Sequence, residues 1–343
     1  MEIPHKRDER IDILRALAIL CIILAHSTPP GVIFQLRNFD VTMMVFLMGA
    51  SFFLSNRNKD MKYTKYLFKR FNRLILPTWK FLIFFFVLFY ALSFVLNDNY
   101  YFPVKTMITS FALTSGIGYV WIMRVFFIIA IVSPLLLYIS KKIKNNKTYF
   151  FILILSYGIY ALLLLINQHI TANGVQKLFE YSIIQGLGYT LIAALGIRLY
   201  SLSKSQLIYI SGFFLLIFVS LMIYHNFTPT QDYKYPPTIY YLSYGVFVSY
   251  ISFYILSFDK VKKIFNKKPI IFLSNKSLDL YYCHIIPIFI IQLFGDGIPV
   301  ISNNFITRFL FLFVGGLILL YLQTLLFNIS KIKRNNKVIQ KAV

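Results

Sequence analysis

The chain has 343 residues, 58% of them hydrophobic and 14% charged, with a formal net charge of +23. Its mean hydropathy is +0.68. A soluble domain of this length has no interior large enough for so much apolar surface, so the composition excludes an ordinary globular protein and implies an all-α, polytopic membrane protein.

Apolar stretches recur along the chain and predict ten spans within a single integral-membrane domain over 1–343: 11–27, 41–56, 74–96, 118–140, 149–166, 178–200, 207–224, 239–258, 270–294 and 305–329. The second is short and weak. Of the 35 lysines and arginines, 26 fall in alternate connections and in the two tails. Those connections hold Arg57 to Arg73, Lys141 to Lys147, Arg198 with Lys204, and Lys260 to Lys268. The opposite connections carry only Arg37, Lys105, Lys177 and Lys234. This alternation is a positive-inside pattern and predicts that both termini are cytoplasmic. The basic excess is therefore a topology signal with some attraction to anionic membrane lipid, not a nucleic-acid footprint. The first apolar stretch is read as an uncleaved span, because it contains Arg15 and no small-residue cleavage site follows. Cys21 and Cys283 both fall in apolar spans and read as packing residues. No disulfide frame or metal site is expected.

Taken in chain order, six stretches hold polar residues that a lipid-facing helix would not need. In the first span Arg15 and His26 are eleven positions apart, nearly three turns, so they share one helical face and stand about 16 Å apart along the axis. Asp12 is three residues before Arg15 and can pair with it. The plainer reading is that Arg15 snorkels to headgroups and His26 marks a helix end. Met43 to Ser55, in the second span, contains Gly49, which suits close helix packing. Arg70 and Arg73, at i and i+3 before the third span, present two guanidiniums together, suited to gripping phosphates in bidentate fashion. Their plainer reading is positive-inside charge. In the fourth span Trp121 lies at the outer interface and Arg124 a turn deeper, where it serves either a ligand or a neighbouring helix. Tyr235 to Gly245, before the eighth span, is proline-rich and aromatic and includes Tyr240, a candidate platform for a sugar ring or an interfacial anchor. In the ninth span Ser277, Tyr281 and His284 stand at i, i+4 and i+7 and form one stripe. His284 is expected in the cytoplasmic half, as a supporting contact out of reach of His26.

The opening segment, Arg10-Ile-Asp12-Ile-Leu14-Arg15 through His26, resembles the first helix of acyltransferase family 3, with its basic residue, ten intervening positions and histidine. Lys69-Arg70-Phe71-Asn72-Arg73 resembles the family's Arg-x-x-Arg segment. The stretches at Trp121 to Arg124 and Ser277 to His284 resemble its fourth-helix and ninth-helix signatures. The second span departs from the pattern, with Met-Gly-Ala-Ser at 48–51 where a Ser-Gly pair is usual. The resemblance extends over essentially the whole chain. It implies a ten-helix, multi-pass O-acyltransferase of a bacterial cell membrane that modifies sugars of surface polysaccharides.

On this reading acetyl-coenzyme A is the acyl donor, no metal is used, and the acceptor is a hydroxyl of a capsular or other surface glycan or of its lipid-linked precursor. His26 and Arg15 are the catalytic residues, His26 as the base or a transient acyl carrier. Arg15, Arg70 and Arg73 hold the donor's phosphates. Arg124, Trp121 and Tyr240 contact the acceptor, and Asp12, Ser277, Tyr281 and His284 support the site. A carrier for a lipid-linked sugar and a glycan polymerase are the alternatives. The first calls for inverted repeats and the second for a sizeable outer loop, and neither is visible.

Overall fold

The computed structural model describes the backbone of residues 7–340, and their side chains except at 302 and 326–340. Lys6 and the basic residues expected at the C-terminal end, Lys331 to Lys341, therefore lie outside the described side chains. Among the described residues the protein is helical, and one isolated bridge, Lys234 with Pro237, is the sole β pairing.

Each predicted stretch is helical. The helices are α1 (Glu9–Ala25), α2 (Gly31–Asn56), α3 (Tyr63–Val95), α4 (Trp121–Lys142), α5 (Asn146–His169), α6 (Asn173–Ser201), α7 (Lys204–Tyr224), α8 (Ile239–Ile255), α9 (Ser277–Gly297) and α10 (Phe305–Gln340). Eight of these segments are long and apolar enough to cross a membrane, and a ninth is if α8 and the bent helix Asp259–Phe265 make one span. With 17 residues, α1 rises only about 26 Å, short of a bilayer core of roughly 30 Å. Eight or nine crossings are thus what length and composition support, against the ten expected.

Boundaries differ in informative ways. The weak second stretch is prolonged by Gly31–Leu36 into one 26-residue segment. Helix α3 starts eleven residues before the predicted span, so Arg70 and Arg73 ride on a continuous helix. The predicted ninth span is divided at Lys276 into Lys268–Asn275 and α9.

The helices differ in burial. In α6, 83% of the most apolar window is buried, against 17% in α5, α7 and α10. So α6 forms the centre, while the other three present Leu162, Leu165, Leu216 and Leu310 outward, as lipid-facing helices do. Close approach at the centre depends on small residues. A Cβ on Gly49 of α2 would stand 2.2 Å from the Ala193 carbonyl oxygen of α6, and one on Gly196 of α6 would stand 2.0 Å from the Phe46 oxygen. Two glycines thus bring the backbones of α2 and α6 together, the packing device common between membrane helices.

The connections gather at two ends. At one end Arg10 meets Ser257, Asp8 accepts from Tyr200, and Arg198 donates to the carbonyls of Ser140 and Lys144. At the other, Asn38 donates to Thr230 and Tyr244 to the Leu36 carbonyl. The segment before α1, the ends of α4 and α6 and the segment just after α8 thus lie at one end, and the start of α2 and the connection after α7 at the other.

Candidate functional site

A cavity of about 590 Å³ runs among α1, α2, α3, α4 and the Lys268–Asn275/α9 pair, a size typical of small-molecule sites. Its walls are helical stripes. Arg15, Ile22 and His26 come from α1, Met44, Met48, Ser51 and Ser55 from α2, and Tyr66, Arg70, Arg73 and Leu74 from α3. Spacings of three, four and seven put each set on one helical face. Because Arg15 and His26 both line it, the cavity extends at least about 16 Å along α1.

The end at Arg15 is cationic and ordered by Asp12. That carboxylate is buried. It accepts from Arg7 and, at 2.9 Å, from Ser274, and Arg15 lies 3.5 Å away. The Arg15 guanidinium also donates to Ser51 at 3.0 Å and to Ser274 at 3.3 Å. Held from three helices, Arg15 does not snorkel outward. Arg70 stands over the Tyr66 ring at 5.1 Å, and Arg73 is exposed at the mouth. Three arginines with one nearby carboxylate leave this end positive.

The other end holds His26, the residue that closes α1. Its ring meets Tyr119 edge-on at 4.9 Å and lies 5.5 Å from the ring of His284. The expectation that His284 sits too low to touch His26 is therefore corrected. Ser274, not Ile270, stands level with Arg15, and ten residues further along its segment His284 reaches nearly the height that His26 reaches eleven residues beyond Arg15. His284 is fully buried. Its Nδ1 lies 3.3 Å from the Leu280 carbonyl, and its Nε2 has no hydrogen-bond partner. Ser277 and Tyr281 of the same stripe do line the cavity. The Tyr281 hydroxyl donates to the Tyr119 carbonyl at 2.5 Å and so fixes the loop that carries Tyr119 against His26.

Two expected acceptor contacts are directed elsewhere. Along α4 the stripe Ile122, Phe126, Ala130 and Ser133 lines the cavity, joined at the start of the helix by Trp121 and Met123. At 100° per residue Arg124 falls on roughly the opposite side. There it donates to Gln185 at 2.7 Å and lies 4.7 Å over the Tyr181 ring, so it ties α4 to α6. Tyr240 is buried, donates to the Thr228 carbonyl at 3.0 Å and stacks on Phe218. Neither is among the lining residues. Trp121 is, and with it Tyr235, whose ring meets the indole edge-on at 5.2 Å. Within the aromatic stretch before α8, Tyr235 rather than Tyr240 reaches the cavity.

Sequence reasoning missed a second charged cluster at the His26 end. Arg37, Asp40 and Lys234 all line the cavity and all are buried. Arg37 pairs with Asp40 at 2.9 Å, and Lys234 lies 3.8 Å from the same carboxylate. Burial pushes the Lys234 ammonium below the ordinary lysine range against the pull of Asp40. The available signal was Arg37-x-x-Asp40, an i, i+3 pair at the start of an apolar helix. Along the chain alone, Arg37 looks like ordinary loop charge.

No curated protein and no solved structure shows a significant match to the chain. A family model described as an acyltransferase domain matches residues 8–324. That match covers nearly the whole chain and takes in every residue of the site described above except Arg7, and the chain belongs to this acyltransferase family, family 3.

Proposed function

We propose that the protein is a membrane O-acetyltransferase that moves an acetyl group from acetyl-coenzyme A to a hydroxyl of a cell-surface glycan, capsular or otherwise, or of its lipid-linked precursor. We further propose that it does so as a single multi-pass domain in a bacterial plasma membrane. The observation that carries this reading is one cavity with Arg15, Arg70 and Arg73 at one end and His26 at the other.

The residues fit such a donor. Its phosphates suit three guanidiniums at a mouth where Arg73 is exposed, and arginine grips phosphate oxygens in bidentate fashion. Its extended arm suits the walls beyond, where Met44, Met48 and Leu278 alternate with Ser51 and Ser55. Its thioester then lies toward His26. Asp12 supports the site by fixing Arg15, and Ser277 and Tyr281 by shaping the wall between the two ends.

The chemistry assigned to His26 is general base catalysis. A sugar hydroxyl attacks slowly because its proton is hard to remove, and a neutral imidazole accepts that proton as attack proceeds. The acceptor oxygen forms the new ester bond to the acyl carbon and the carbon–sulfur bond breaks. The thiol leaves with the proton that the imidazole held. His284, buried against His26, serves as a positioning residue that limits the tilt of the reacting ring.

The test is acceptor-dependent release of free thiol from acetyl-coenzyme A by the purified protein in nanodiscs, with a panel of glycans as acceptors. Release of thiol with matching acetylation of one glycan supports the reading. A protein of normal fold that neither binds acetyl-coenzyme A nor acetylates any glycan refutes it.

A further inference from the structure

We infer that the acceptor is acidic: a glycan whose carboxylate or phosphate group lies against Arg37 and Lys234 while a neighbouring hydroxyl faces His26. The inference rests on the acyl-transfer reading above and deepens it by naming the class of acceptor.

The charge balance of the outer end carries the argument. Arg37, Asp40 and Lys234 are 3%, 1% and 5% exposed. Two cations share one carboxylate, so the enclosed cluster holds an excess positive charge. An unpaired buried charge is expensive, and proteins keep one where something balances it. The hydrogen bonding is incomplete in the same sense. Asp40 takes a bond from Arg37 Nη1 at 2.9 Å, while Arg37 Nε has no partner. Lys234 Nζ is 3.8 Å from Asp40, beyond hydrogen-bond length. An anionic ligand group would supply the missing charge and acceptors together, and would restore to Lys234 the proton affinity that burial removes.

The loop has other anchors besides the cluster. Asn38 bonds Thr230 at 2.8 Å, Gln35 accepts from the Thr230 backbone at 2.9 Å, and Tyr160 donates to the Pro237 carbonyl. Those contacts anchor both flanks of Lys234 without its charge. The donor's phosphates do not account for the cluster either, because the arginines proposed for them stand at the far end, about 16 Å along α1. A lipid headgroup is disfavoured by burial, since none of the three residues is more than 5% exposed. Tyr235 and Trp121 wall the same end and offer ring faces of the kind that sugar C–H groups pack on. A charged cluster beside aromatic rings suits an acidic sugar better than a neutral one.

The test is retention of the purified full-length protein, in nanodiscs, on a printed glycan array. The array carries neutral oligosaccharides, the same backbones bearing uronates, the methyl esters of those uronates, and phosphodiester-bearing glycans. Wild type is expected on uronate or phosphodiester glycans at least ten-fold above their neutral counterparts. Which of the two retains it identifies the anion. Methyl esterification, which removes charge and little else, should abolish retention on a uronate. Lys234→Met, which leaves the Arg37–Asp40 pair balanced, should fall to the neutral level, and Lys234→Arg should keep most of the preference. Equal retention on neutral and acidic glycans, retention that survives esterification together with no phosphodiester preference, a preference unchanged in Lys234→Met, or no retention on any glycan would each overturn the inference. Binding needs no turnover, so failure here is separate from failure of thiol release from acetyl-coenzyme A.

Discussion

His26 and His284 lie with ring centroids 5.5 Å apart and planes tilted by 31°, although they come from opposite ends of the chain. Their segments run side by side from a common level, where Arg15 of α1 donates to Ser274. From there eleven residues lead to one histidine and ten to the other, rises of about 16 and 15 Å. Only His26 lines the cavity. His284 stands behind it, fully buried, with a free Nε2. One imidazole is thus exposed to a ligand and braced by a second that is not.

His26→Ala is expected to lower kcat by ~10²–10⁴, the usual worth of a general base, with membrane abundance unchanged. His26→Gln keeps hydrogen-bonding capacity but cannot take up a proton near neutral pH, and is expected to be as inactive as Ala. His284→Ala should lower kcat by a smaller factor, roughly ten-fold, and leave the KM for acetyl-coenzyme A alone, since loose positioning costs rate rather than donor binding. Initial rates normalised to protein in the membrane decide it. A Gln variant with most of the wild-type rate would demote His26 to substrate positioning. As a control, Cys21→Ala should stay active, because Cys21 packs against the core and does not line the cavity.

Arg70 and Arg73 share a cavity-facing stripe of α3 with Tyr66 and Leu74. Hydrogen bonds to charged groups are each worth about 1.5–3 kcal/mol, so Arg70→Ala should raise the KM for acetyl-coenzyme A by roughly ten-fold to a hundred-fold and leave that for the glycan little changed. Lysine replacements should recover only part of the loss, because an ammonium lacks the bidentate fork. An unchanged donor KM would mean that these arginines serve chain orientation alone.

Arg124 offers the opposite expectation. Its partners are Gln185 and Tyr181 on α6, so Arg124→Met should lower the thermal midpoint of the purified protein while leaving both KM values within about two-fold, the scatter expected when no ligand contact is lost. A selective rise in acceptor KM would return Arg124 to the substrate site.

What could be read from the sequence was what depends on one helix at a time. Apolar runs mark the helices through burial of their own backbone. The eleven-residue spacing of Arg15 and His26, and the three-residue spacing of Arg70 and Arg73, fix each pair on one face whatever surrounds it. What depends on two helices was hidden. The height of His284 relative to His26 follows from the register that sets Ser274 level with Arg15, which no periodicity announces. The direction of Arg124 follows from the rotation of α4 against α6. Arg37 and Lys234 look like ordinary loop charges until folding encloses them around Asp40. Gly49 was legible as a packing residue, but its partner, the Ala193 carbonyl, was not.

That contact makes a stability prediction. Gly49→Leu places side-chain atoms where the α6 backbone already lies, 2.2 Å from where a Cβ would sit, and backbone cannot yield as a flexible side chain can. A loss of at least about 1–3 kcal/mol is expected from overpacking, seen as a lower thermal midpoint and reduced yield in detergent. Gly158, with nothing within 4 Å of a Cβ, is the control. Gly158→Ala on the outward-facing α5 should fold normally and gain slightly, since alanine favours a helix over glycine by up to about 1 kcal/mol. Equal behaviour of the two variants would mean that α2 and α6 do not approach as described.

Topology is the last expectation, and two independent arguments converge on it. The first is the charge alternation, with 26 of 35 basic residues in alternate connections and tails. The second is contact: Arg198, near the end of α6, donates to the carbonyls of Ser140 in the last turn of α4 and of Lys144 in the connection that follows, while Tyr200 reaches Asp8 before α1. These segments must lie on one side of the membrane. Thr230, before α8, bonds Asn38 on the opposite end of the bundle. Reporters fused after Asn146 and after Lys267 should therefore report the cytoplasm, and those after Asn173 and after Asp232 the outside. The Asn173 fusion is the most exacting of the four, because α5 before it carries little charge to orient it and few buried residues to hold it. A cytoplasmic signal from both Asn173 and Lys267 would mean that the number of crossings between them is even. The charge alternation would then misplace at least one of α6, α7 and α8, and the side assigned to each connection after Asn173 would have to be redrawn.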